Sequence, residues 1–192
     1  MSKKKRRDDS YFAVDRRRKR KYMVIIIQVI IAVAAASIAG AILYQPPPTA
    51  MAISGVECNR SEQLNYHIHS GLDVFVNGVQ QQVPSNIGIV SSPSCLYWLH
   101  THSADGIIHV EAPGARQFTV GQFLNVWQQT IANSTAFFNS VSDMPVTAYV
   151  DGQRFEGDYR TIPLESLREI VLAYGTPPEE IPAEHDFGSI TR

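Results

Sequence analysis

Three hydrophobic periods divide the chain. Met23–Tyr44 is an apolar run without a charge. Tyr66–Val76 alternates apolar and polar residues. Val120, Phe123, Leu124 and Trp127 recur at i, i+3, i+4 and i+7. These periods predict a membrane-length helix, a half-buried strand and an amphipathic helix, in that order.

On the alternating stretch, Tyr66, Ile68, Leu72, Val74 and Val76 share one face, and His67, His69, Gly71, Asp73 and Phe75 share the other. Asn77-Gly78 predicts a type I′ turn with a return through Val79–Val83, and Pro84 ends it. Asp151-Gly152 predicts a second hairpin between Val146–Val150 and Gln153–Glu156. A third joins Trp98–His102 to Ile107–Glu111 around Asp105-Gly106. With a two-residue tip, His102 faces His109 and His100 faces Glu111. With a four-residue tip, His100 faces His109. Both registers put His100, His102, His109 and Glu111 on one face.

Thr119 and Gln122 form a T-x-x-Q capping box, with Phe118 and Phe123 at the staple positions, so a helix starts there. Ile131–Asp143, rich in Asn, Ser and Thr, reads as a loop. Pro163–Glu169 reads as a helical turn, and Ile170–Tyr174 as a buried strand closed by Gly175. The expected fold is α+β: a single-pass N-terminal transmembrane helix, then a small, largely antiparallel β domain with one packed helix. A small β-barrel with one helix is the alternative. The expected boundaries are a basic arm at 1–22, the transmembrane helix at 23–44, a Pro-rich spacer at 45–56, the α+β domain at 57–175 and an acidic Pro-rich tail at 176–192. The tail is expected to be poorly ordered, with His185 solvated.

Charge sharpens this division. Residues 1–22 hold eleven basic and three acidic residues. Beyond position 44 there are six arginines, no lysine and fifteen acids, a net −9, together with all six histidines. An acidic folded part argues against nucleic acid as a partner. The basic arm, expected to be disordered, fits anionic lipid headgroups of a bilayer and places the N-terminus in the cytoplasm by the positive-inside rule. A cleaved signal peptide, with Ala50-Met51-Ala52 as its site, is the alternative. Either arrangement leaves the acidic domain outside the cytoplasm, where Cys58 and Cys95 are expected to pair.

The chemistry lies in the histidines. His67, His69, His100, His102 and His109 fall within 43 residues on polar strand faces, with Glu111 beside them. Imidazoles on rigid strands suit zinc or copper. A hydrogen-bonded histidine seam is the alternative. A metal-dependent enzyme using Glu111 or Asp73 as general base is a third reading, although no nucleophile elbow, phosphate loop or haem motif is present. The H-x-H patterns of cupins and copper–zinc superoxide dismutases are not reproduced, because the first acid after His102 is Asp105 and Glu111 follows much later. In the stretches Y-H-I-H, C-L-Y-W-L-H-T-H and G-I-I-H-V-E the chain resembles membrane-anchored, exported His-rich proteins of unassigned function in archaea and Gram-positive bacteria. The resemblance covers roughly residues 58–175 and implies compartment and a shared histidine face. The expected function is therefore metal binding outside the cytoplasm, as a metal-handling module or as an accessory to a membrane protein complex.

Overall fold

The computed structural model describes residues 3–43, 52–91 and 94–188. It divides into two compact units, residues 1–46 and 47–192. The first is one helix, α1 (Lys3–Leu43). Its Arg18–Gly40 stretch is exposed throughout, with mean hydropathy 2.5, and is long and apolar enough to cross a membrane. A membrane anchor and a signal sequence both meet that description. The basic arm is helical from Lys3 rather than disordered, because Ala, Arg and Lys extend the helical register of the apolar run. Tyr44, Pro46-Pro47-Pro48, Ala50 and Met51 lie outside the described residues.

The second unit is α+β, with ten strands among the described residues. The strands are β1 (Cys58–Asn59), β2 (Tyr66–Val76), β3 (Val79–Gln81), β4 (Ile89–Ser91), β5 (Ser94–Tyr97), β6 (Leu99–His100), β7 (Ile107–Ala112), β8 (Val146–Val150), β9 (Gln153–Arg154) and β10 (Arg168–Tyr174). The helices α2 (Val120–Thr130) and α3 (Ser134–Val141) separate β7 from β8. The large sheet runs β6-β7-β2-β10-β8-β9, with β3 pairing β2 alongside β7, and a small sheet runs β1-β5-β4. All pairings are antiparallel except that of β2 with β10. The two central strands, β2 and β10, therefore form a parallel pair that hairpin counting does not find.

The sheets meet at Trp98. Its N–H donates to the Glu57 carbonyl, and its own carbonyl accepts from Glu111 N–H. The indole Nε1 donates to Asn59 Oδ1 at 2.7 Å. The Cys58–Cys95 disulfide ties β1 to β5 beside this crossing, with the Cα atoms 5.5 Å apart. His100 thus emerges on β6 from a cross-linked base.

The main core fills one face of the large sheet. Leu72, Val74, Leu99, Ile108, Val110, Ile170 and Leu172 pack there against Phe118, Phe123 and Trp127. The expected capping box forms in full: Gln122 N–H donates to Thr119 Oγ1, and Thr119 N–H donates to Gln122 Oε1. Phe118 and Phe123 are completely buried on either side of it.

Four local expectations need correction. The segment read as a loop contains α3, a second packed helix. Its sequence is helix-poor, but Phe137 stacks on Trp127 with ring centroids 5.4 Å apart and Phe138 lies edge-on at 5.3 Å. Tertiary contact overrides propensity there. The helical turn expected at Pro163 comes earlier, at Tyr159–Thr161, capped by Asp158. Pro163 itself is extended and bridges Thr119, which buries Ile162 and Leu164. The hairpin return after Gly78 is shorter than expected, ending at Gln81.

Finally, the acidic tail through Gly188 packs on the sheet rather than standing free. Ile181 packs against Phe75, Val171 and Ala173 on the face opposite the helices. The side chain of His185 is only 5% exposed. Strand β2 is accordingly covered on both faces from Gly71 onward, with only Asp73 partly exposed before Val76.

Candidate metal centre

The face opposite the helices carries the histidines. Its geometry follows from the order β6-β7-β2, with β7 in the middle. His109 on β7 pairs with His69 on β2 and with His100 on β6. His67 pairs with Glu111. Directly paired strand residues hold their Cβ atoms within about 5.5 Å, so ladder register alone sets the spacing. The two H-x-H segments are not on neighbouring strands. They are bridged by His109.

The hairpin takes the four-residue register, with His100 opposite His109. Asp105 explains the choice. Its carboxylate accepts from Ser103 Oγ at 2.8 Å and from Ile107 N–H at 3.1 Å, and only Gly106 has positive φ, at 81°. The loop closes around the Asp105 side chain instead of making the type I′ turn, which needs positive φ at both central residues. The other two hairpins do make that turn: Asn77 and Gly78 have φ of 50° and 80°, and Asp151 and Gly152 of 50° and 75°.

Two groups of donors result, each with its candidate atoms within 4.8 Å of one another. One is His100, His102, His109 and Glu111; the other is His67, His69 and His109. All six residues expected at the site are brought together. Glu111 and His100 form a buried floor, while His67 and His102 lie exposed at the rim. Glu111 Oε1 lies 3.3 Å from His67 Nε2, and 3.7 Å from both His100 Nε2 and His109 Nδ1. His100 and His102 approach at 3.3 Å through their Nε2 atoms. The His100 and His109 rings stack with centroids 5.3 Å apart.

The hydrogen bonding orients these groups. His100 Nδ1 lies 2.9 Å from the Tyr97 carbonyl. A carbonyl only accepts, so Nδ1 carries the proton and Nε2 keeps a lone pair directed at Glu111 and His102. Metal-bound histidines are commonly held in this way. Two buried atoms of the cluster, His109 Nδ1 and Glu111 Oε2, have no hydrogen-bond partner. Such atoms are costly unless something else engages them.

The electrostatics point the same way. Burial, followed by repulsion from His109 and His67, lowers the pKa of His69 to about 4. Burial lowers that of His100 to about 4, against the pull of Glu111 and the Tyr97 carbonyl. Both rings are neutral at neutral pH. Burial opposes ionisation of Glu111, but His109, His100 and His67 around it outweigh burial and hold the carboxyl below its ordinary value. A buried carboxylate beside the neutral His100 ring is a site short of positive charge. The arrangement can hold a metal ion.

A third group was missed by the sequence reading. Asp73, Glu169 and His185 also bring candidate donor atoms within 4.8 Å of one another. The sequence places Asp73 on the histidine face, reads Glu169 as part of a helical turn and His185 as solvated in the tail. The available signal was the alternation of Glu169, Val171 and Ala173, which sets Glu169 on the same face as Gly71, its partner in the β10–β2 ladder. The return of His185 has no local signal. Burial and the carboxylates of Asp73 and Asp151 push Glu169 up, against His185. Burial opposes protonation of His185, but Glu169 prevails and raises it.

The chain matches no protein-family model, no curated protein and no solved structure, so the reading of this face rests on its own geometry.

Proposed function

We propose that the protein is a membrane-anchored, extracytoplasmic module that binds a transition-metal ion, zinc or copper, on the β6-β7-β2 face. The single observation that carries this reading is Glu111, buried, ionised and with one oxygen unpartnered beside a His100 ring kept neutral by burial. A divalent ion there supplies the missing charge and engages Glu111 together with His100, His102 and His109. Four protein donors suit a closed shell that holds the ion rather than one that keeps a position for a reacting water. This favours metal handling, or an accessory role in a membrane complex, over catalysis.

The location rests on three observations: an apolar helix of membrane length, basic residues on its N-terminal side, and a disulfide in the acidic unit. The resemblance to exported, His-rich proteins of archaea and Gram-positive bacteria agrees with it.

A hydrogen-bonded seam is the competing reading, and the 3.3 Å contacts His100–His102 and His67–Glu111 favour it. It leaves His109 Nδ1 and Glu111 Oε2 unexplained. Metal analysis of the full chain purified in detergent separates the two. Bound zinc or copper that is lost in the His100→Ala/His102→Ala variant supports the metal reading. No bound metal, and no affinity above that of the double variant, overturns it.

A further inference from the structure

The Asp73–Glu169–His185 group lies on the same sheet face as the histidine cluster, on the other side of Gly71 along β2. It shares no donor with the His67, His69, His100, His102, His109 and Glu111 groups. We propose that it is a second, separate cation site, built to take a harder divalent ion such as Mn(II) on two carboxylates and one imidazole.

The argument starts from His185. Its Nε2 lies 2.9 Å from the Asp105 carbonyl, which can only accept, so the ring proton sits on Nε2. Nδ1 then faces Glu169 Oε2 at 2.8 Å. A nitrogen lone pair and a carboxylate oxygen this close require a positive charge between them. One proton there satisfies the pair but not the site. Asp73 adds a second carboxylate, and Glu169 Oε1 is buried without any partner, on a side chain only 1% exposed. Two carboxylates and a neutral imidazole are balanced by one divalent ion.

The surroundings are those of a held ligand set. Gln80 Nε2 donates to Asp73 Oδ1 at 3.0 Å and turns that carboxylate. The Asp105 carbonyl orients the imidazole from behind. Such outer contacts are what fix donors around an ion. Gly71 makes the space: a Cβ there would lie 2.5 Å from Glu169 Oε2 and would collide with the His185 ring. Asp73 also lines a cleft of about 350 Å³ between β3 and the β6–β7 loop, together with Gln80 and Gly106, which gives an ion a route in. Oxygen-rich donor sets suit Mn(II), whereas the imidazole-rich face suits zinc or copper.

The test uses the full chain in detergent carrying His100→Ala/His102→Ala/His69→Ala, so that both donor groups of the histidine face are broken and the outcome does not depend on them. Mn(II) is the probe, and free Mn(II) is followed by electron paramagnetic resonance. The expected result is one bound equivalent, weakened about tenfold or more when Glu169→Gln or Asp73→Asn is added. Glu169→Gln preserves shape, and Asp73 is partly exposed, so the two variants stress the fold differently. In the unmutated chain, substoichiometric Mn(II) is expected to broaden the ring resonances of His185 before those of His100. Unchanged Mn(II) affinity in either variant, no uptake at all, or His100 broadening first would overturn the proposal and leave the group as a clamp for the tail.

Discussion

Replacing Glu111 by Gln separates a metal centre from a hydrogen-bonded seam by the sign of its effects. The side chain is 2% exposed, and Oε1 has three imidazoles within 3.7 Å, of which His67 Nε2 is nearest at 3.3 Å. Gln keeps the shape, removes the charge and can donate to an imidazole lone pair. Without metal, the variant relieves an uncompensated buried charge, so the apoprotein is expected to hold its stability or gain about 1–3 kcal/mol. That gain corresponds to a melting temperature several degrees higher for a domain of this size. With metal the variant gains less than wild type. At a free concentration one hundred times the wild-type Kd, binding stabilises by about 2.7 kcal/mol. Weakening Kd by about 10–100-fold, the range typical for groups that support a metal centre, cuts this to roughly 1.4–0.4 kcal/mol. Thermal melts of wild type and variant, each with chelator and with zinc, give all four numbers. A variant that melts lower with chelator, and whose zinc-induced shift equals that of wild type, would refute the reasoning: Glu111 would then be a hydrogen-bond partner in a seam.

Acid should destabilise the apoprotein in a defined window. His69 and His100 titrate lower in the fold than the ordinary 6.5, so as pH falls the unfolded chain binds protons first. Their contribution is complete above about pH 6.5, declines below it and is lost by about pH 4. Denaturant titrations across that range are expected to show this slope, and His69→Ala to reduce it. Reducing the Cys58–Cys95 bridge, which spans 37 residues, should cost about 3–4 kcal/mol in the loop-entropy picture, read from the urea midpoint. Thr119→Ala, which breaks the capping box, should cost about 1 kcal/mol. Phe123→Ala should cost about 3–5 kcal/mol at a completely buried position, and an effect below 1 kcal/mol would mean that α2 is not packed as described.

What local sequence encodes was legible, and what long-range pairing decides was not. The bounds of β2 follow from alternation, the start of α2 from its capping box, and two hairpins from Asn-Gly and Asp-Gly turns. That His67 shares a face with His69, and His109 with Glu111, follows from strand parity alone. The register around Asp105 needed the contacts of its side chain. The placement of β7 between the two H-x-H segments needed the sheet order, and α3 needed Trp127 beneath Phe137. His185 lies among acidic and Pro-rich residues with no period at all. Its docking depends on a space left by Gly71, more than 100 residues away, which a single-strand pattern cannot announce.

The ladder that puts His109 between His69 and His100 also bears on how the site fills and empties. Those three residues are spaced by backbone hydrogen bonds of strands whose opposite face is welded to the main core. If an ion is bound there as proposed, chelating it would remove no element of the fold, and the donors would stay in place. Small zinc modules collapse when stripped, because the ion organises the chain. Under the proposed function uptake would need no refolding step, so exchange would be governed by ligand desolvation at the His67–His102 rim. A protein of this design can be loaded and unloaded repeatedly as a unit that keeps its shape.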